Sequence, residues 1–148
     1  MNEILLIGTN KPLIIASVSW LLAQVIKSAI QLFKEKKFNL VSLILATGGF
    51  PSSHASFVTS LATSIGLKFG FDSGVFSIAT GLALVVISDA RGIRQQASKQ
   101  AQILNKIIED LYSKKGFQME RLRELLGHTG IEVFAGSILG VLIAILLN

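Results

Sequence analysis

The sequence predicts an all-α fold: a polytopic membrane helix bundle of about four spans with a re-entrant segment and interfacial amphipathic helices. Three observations predict it. Of the 148 residues 51% are hydrophobic and only 16% charged, where a soluble domain carries roughly 25% charged residues. The apolar residues fall in blocks near the length of about 20 that a helix needs to cross a bilayer core. The charges lie between those blocks and flank them. The length suits a single domain, 1–148, and the absence of cysteine excludes disulfides and thiolate chemistry.

The first block opens at Asn10-Lys11-Pro12, an N-cap with proline in the first helical turn. From Leu13 to Phe33 it is interrupted only by scattered polar residues and Lys27, and Lys34-Glu35-Lys36-Lys37 ends it. It runs longer than the roughly 7–15 residues of a signal-peptide core, so a span is expected there. Phe38 to Ala46 is apolar but too short to cross, and Gly48-Gly49-Phe50-Pro51 breaks it. A re-entrant or interfacial segment is the expectation.

Ser52-Ser53 starts a helix to about Phe69, with Ser56, Thr59, Ser60, Thr63 and Ser64 along it. Small hydroxyl residues let helices approach closely in lipid, so these read mainly as packing. After the turn at 68–73, Gly74 to Ser88 forms a third span without charge. From Asp89 to Tyr112 the pattern changes: Ile93, Ala97, Ala101, Leu104, Ile108 and Leu111 recur at three and four, with Arg94, Lys99 and Lys106 on the other face. That is an amphipathic helix for the interface. A short stripe from Met119 to Leu126 follows, then an apolar block from Gly130 to Leu147 with one charge, Glu132.

The net charge of +5 does not point to nucleic acid, because the basic residues flank apolar blocks and form no recognition stripe. They orient the spans instead. The segment Lys34 to Lys37 carries net +2 and the stretch Asp89 to Glu124 net +3, the whole charge of the chain. The positive-inside bias then places both stretches on the cytoplasmic side of the cell membrane, with both termini outside. If the segment 38–46 crosses instead, the later spans invert.

On this topology Lys27, Ser52, Ser53, His54, Arg91, Arg94, His128 and Glu132 converge at one membrane boundary. The opening amides of the Ser52 helix and the positive end of its dipole suit an anion. Arg91 and Arg94 add forked donors that match phosphate oxygens. His128 and Glu132 are four positions apart, so on a helix they share a face, where the carboxylate can orient the imidazole for attack. His54 would protonate a departing alkoxide. Each residue also has a plainer reading. Taken alone, Ser52 with Pro51, Ser53 and His54 fits a helix cap better than a site, whereas Lys27 fits a snorkelling side chain equally, and Arg91 and Arg94 the positive-inside bias equally. Glu132, an intramembrane carboxylate, reads first as functional, with pairing to Arg123 or His128 in the headgroup layer as the alternative. Gly66-x-x-x-Gly70 and Gly136-x-x-x-Gly140 read as packing notches, and such small-residue faces also offer a route to homo-oligomers.

Three motifs resemble the divergent PAP2 family, related to the type 2 phosphatidic acid phosphatases and the vanadium haloperoxidases. They are Gly49-Phe50-Pro51-Ser52-Ser53-His54-Ala55, Asp89-Ala90-Arg91-Gly92-Ile93-Arg94-Gln95-Gln96-Ala97, and Leu126-Gly127-His128 with Glu132-Val133. The resemblance implies phosphate binding by Ser52, with Ser53 where the broader superfamily has glycine. It further implies His54 as general acid and His128 as nucleophile, with Glu132 in the place of the usual aspartate. No metal or cofactor is implied for the phosphatase reaction. The broader pattern of lysine, six residues, then Arg-Pro is met here by Lys27 followed by Lys34-Glu35, and Leu122 stands at the later arginine position between Arg121 and Arg123.

The implied function is a membrane phosphatase that hydrolyses a lipid phosphate monoester or pyrophosphate through a phosphohistidine. The alternative is a catalytically silent PAP2-like protein that binds or moves a phospholipid or polyprenyl phosphate. The missing motif arginine favours the second, and the His128–Glu132 pair with His54 favours the first. In both the partners are the bilayer and a phosphorylated lipid.

Overall fold

The computed structural model describes residues 6–35, 49–112 and 129–148. The segment 38–46 and the stripe 119–126 lie outside the described residues. Within them the chain forms five helices and no strand: α1 (Lys11–Glu35), α2 (Ser53–Phe69), α3 (Gly74–Arg91), α4 (Ile93–Tyr112) and α5 (Gly130–Leu147).

Local chemistry sets the ends. The Asn10 side chain accepts from the Leu13 amide at 3.3 Å, and Pro12 sits in the first turn, where its missing N–H costs nothing. At the far end of α2, Gly70 has φ +93° and returns its amide to the Gly66 carbonyl, a conformation that a side chain would resist. Ser73 then caps α3, accepting from the Phe76 amide at 3.2 Å while donating to Gly70 at 2.7 Å. The rings of Phe71 and Phe76 meet edge to face, 5.1 Å apart, and fill the space left by Gly66. Gly66 is thus a packing notch, as its spacing suggested, while Gly70 serves the turn.

One boundary differs from the sequence expectation. Asp89 to Arg91 continue α3, and the amphipathic helix begins only at Ile93, after Gly92. The hydropathy falls at Asp89, but backbone hydrogen bonding runs on to the Gly92 amide, which donates to Ser88 at 2.8 Å. The drop in hydropathy marks a change of surroundings rather than a helix end.

α2 is the centre of the bundle and packs against α5, α1 and α3, whereas α4 packs chiefly against α3. The contacts fix the directions. Ser19 of α1 lies against Ser56, Lys27 against Gly49, and Lys11 donates to the carbonyl of Asn148. Ala55, Ala90 and Val133 form one cluster, while Val58 and Ala62 meet Ala79 and Ala83 in another. So α2 runs antiparallel to α1 and α3 and parallel to α5. The chain therefore leaves α1 and enters α2 at the same end of the bundle, where α3 also ends and α5 begins.

The interior is built of small residues. Ser19, Ser52, Ser53, Ser56, Ser60 and Ser64 are fully buried with Ala16, Ala23, Ala55 and Ala144, while Ile78, Val85, Ile131, Phe134 and Leu146 face outwards. Between helices surrounded by lipid there is no hydrophobic drive for association, and close backbone approach with interhelical hydrogen bonds replaces it. The hydroxyls of Ser19 and Ser56 are 2.6 Å apart. Thr59 donates to the Ser137 carbonyl at 3.2 Å. A side chain on Gly136 would overlap the Ser52 carbonyl, and one on Gly140 would overlap Thr59 and the Ser56 carbonyl. The Gly136-x-x-x-Gly140 spacing in α5 is a packing device, as expected. Among the described residues two helices, Lys11–Phe33 and Gly130–Leu147, are long and apolar enough to cross a membrane, and Gly74–Ala90 is a shorter apolar helix.

Candidate functional site

Three helix ends and the middle of α1's second half meet at one end of the bundle. The Ser52 amide donates to the Glu132 carbonyl at 2.9 Å, which ties the start of α2 to the first turn of α5. Ser52 caps α2, its hydroxyl accepting from the Ala55 amide at a long 3.4 Å. Ser52 and Ser53 are both fully buried, so the plain reading of Ser52 as a cap holds alongside any ligand role.

Glu132 closes a capping box. Its carboxylate accepts from the Thr129 amide at 2.9 Å, and the Thr129 hydroxyl accepts from the Glu132 amide at 3.3 Å. Two orphan donors of the helix start are satisfied reciprocally. The pattern Thr129-x-x-Glu132 was readable in the sequence as this motif, and sequence reasoning passed over it. Because Thr129 is extended and α5 begins at Gly130, helical spacing does not relate Glu132 to His128. His128 itself lies outside the described residues.

Lys27 is buried, with 5% of its surface exposed. Its aliphatic stem passes Gly49, whose φ of +99° and missing side chain leave room for it; a Cβ there would stand 3.3 Å from the lysine Cγ. The Glu132 carboxylate acts electrostatically on the Lys27 ammonium. A buried cation is strongly unfavourable unless a counter-charge compensates it, and the Glu132 carboxylate on another helix offsets part of that cost. The snorkelling alternative for Lys27 therefore does not describe this side chain. Gln24, one turn earlier on α1, is buried as well.

His54 occupies the first turn of α2 at this same end, but on a different side. α5 meets α2 through Ser52, Ser56, Thr59 and Ser60. His54 shares its face with Phe57 and Val58, three and four residues on, and together they line a groove between α1 and α3. Arg91 ends α3, and Arg94 lies in the first turn of α4. The backbone thus brings both arginine positions to the end where Ala90 packs on Ala55.

These features define a helical membrane protein with a buried lysine, a carboxylate and a serine-capped helix start gathered at one end of its bundle. The chain belongs to the Divergent PAP2 family, whose sequence profile matches residues 8–143. It is 38% identical over 150 residues to the "Uncharacterized membrane protein YuiD" of Bacillus subtilis (strain 168), covering 94% of each chain. No solved structure matches it.

Proposed function

We propose that this end of the bundle binds the phosphate of a membrane lipid and that the protein hydrolyses it. The observation that carries the reading is the meeting of buried Lys27 with the Gly49–Ser52 turn and Glu132, residues more than a hundred positions apart. The family scheme calls on the same lysine, serine helix start and acid. In the reaction a nitrogen of His128 attacks phosphorus, the ester bond to the lipid oxygen breaks, and His54 gives its proton to the leaving oxygen. Water then attacks the phosphohistidine and releases phosphate. Lys27, Arg91 and Arg94 offset the charge on the phosphoryl oxygens, and positioning supplies most of the rate.

The bundle is read as four membrane-crossing helices, α1, α2, α3 and α5, with α4 in the interface. α1 ends and α3 gives way to α4 at the same end of the bundle, where both basic stretches begin, which supports a single cytoplasmic face for them and for the site.

Binding without hydrolysis is the second reading. One observation favours it: the Glu132 carboxylate is already engaged by the α5 cap. Phosphate release by the purified protein from a panel of lipid phosphates separates the two. Hydrolysis predicts release by the wild type and loss in His128→Ala and His54→Ala. Release that persists unchanged in His128→Ala would falsify the nucleophile, and saturable binding with no release would establish the second reading. Labelling of cysteines placed at Lys36 and Lys99 only from outside would overturn the sidedness.

A further inference from the structure

The groove beside His54 opens between α1 and α3 on the face of α2 turned away from α5. It holds about 530 Å³ and is walled by Ser17, Trp20, His54, Phe57, Val58 and Val86, a volume within the roughly 300–1,000 Å³ of small-molecule sites. Its wall is apolar apart from His54 and Ser17, and His54 stands at the end nearest Lys27 and Ser52. A second apolar depression of about 360 Å³, lined by Ile7, Leu13, Ile14, Val18 and Leu21, lies on the exposed side of α1 and shares Ser17 with the groove.

We infer that this groove holds a hydrocarbon chain of the phosphorylated lipid, entering sideways from the bilayer, with its oxygen end at His54. The inference rests on the lipid-phosphate reading above. Two observations point to this occupant. The rims of the groove are the lipid-facing sides of α1 and α3, where Leu21, Leu82 and Val85 are about half exposed or more, so the medium at its mouth is hydrocarbon. The second is chemical: a general acid must face the leaving oxygen, and the leaving oxygen carries the lipid chain. His54 turned towards the groove and away from α5 is the orientation that this geometry requires, with phosphorus on the Lys27 side.

The test is photocrosslinking of the full-length protein in nanodiscs. The probe is a long-chain monoalkyl phosphate with a diazirine at mid-chain, and its control is the same chain ending in an alcohol. The phosphate probe should label α1 around Ser17 and Trp20 and α2 at Phe57 well above the outer face of α5 at Phe134 and Leu142. The alcohol should show no such preference. Val86→Phe and, from the exposed side, Ser17→Phe should each remove the groove labelling and leave the α5 background unchanged. Even labelling of α1, α3 and α5 by the phosphate probe, or identical maps for the two probes, would overturn the inference. Groove labelling without phosphate release from any lipid phosphate would leave the inference standing and remove hydrolysis. Phosphate release with no groove labelling would do the reverse.

Discussion

The Ser52 amide bonds to the Glu132 carbonyl at 2.9 Å, and Gly136 lies one turn further along α5 with its α-carbon against the same serine. The bond requires that closeness, because a side chain at Gly136 would occupy the space of the Ser52 carbonyl. The start of α2 is thus set by α5, and with it the serine cap and the first-turn histidine.

Gly136→Ala should therefore destabilise the protein by about 1–3 kcal/mol, the usual cost of overpacking a tight contact, and Gly140→Ala should act similarly. Gly81, in the middle of α3, faces open space: a methyl group there would meet nothing within 4 Å. Gly81→Ala should be neutral or gain up to about 1 kcal/mol from helix propensity. Unfolding of the three variants by SDS titration in mixed micelles, followed by circular dichroism, checks the order. Equal midpoints for Gly136→Ala and Gly81→Ala would refute the close approach.

The serines of α2 should divide in the same experiment. Ser56 shares its hydroxyl contact with Ser19 across α1 and α2, whereas Ser60 and Ser64 are buried with no hydrogen-bond partner for their hydroxyls among the described residues. A double-mutant cycle of Ser19→Ala and Ser56→Ala should give a coupling of about 0.6 kcal/mol, the average for such bonds between membrane helices. Ser64→Ala should cost less than Ser56→Ala, because no bond is lost and a buried polar group is removed. A coupling near zero would show that the Ser19–Ser56 contact contributes only packing.

The same contacts explain how far the fold is legible in the sequence. Helix existence was legible because the apolar blocks and caps such as Asn10 and Ser52 act locally. The convergence of Lys27, Ser52, Arg91 and Glu132 at one end was legible from charge placement, since basic stretches mark one side of the bundle. Facing directions were not. Which side of α2 carries His54 depends on where α1, α3 and α5 dock, and that is decided by glycines and serines whose hydropathy is nearly neutral. The break at Gly92 was hidden for a related reason, because a single residue separates two helices that differ in surroundings and not in backbone bonding. The cap on Glu132 was legible and was outweighed by the attraction of a histidine four residues earlier.

Gly49 offers a test of the Lys27 pocket without touching a charged group. Its φ of +99° is a region that residues with a Cβ rarely adopt, and the new methyl would press on the lysine stem. Gly49→Ala should cost about 1–3 kcal/mol from backbone strain. It should also weaken binding of a lipid phosphate more than Gly81→Ala does, measured by isothermal titration in detergent. Unchanged affinity in a destabilised Gly49→Ala would separate the turn from the ligand site.

The two roles of Glu132 can be separated because they use different properties of the side chain. Capping needs an acceptor oxygen for the Thr129 amide, which glutamine retains. Compensation of buried Lys27 needs the negative charge, which glutamine lacks. Glu132→Ala removes both, so it should be less stable than Glu132→Gln by about 1 kcal/mol, the worth of a helix cap. Glu132→Gln should itself be destabilised, because buried Lys27 loses the attraction of that carboxylate, and adding Lys27→Met should recover most of the loss. If the double variant Lys27→Met/Glu132→Gln folds as well as wild type and yet no longer binds a lipid phosphate, the pair belongs to the ligand site. If it binds as wild type does, the pair only fastens α1 to α5, and the phosphate must be held by other groups at that end of the bundle.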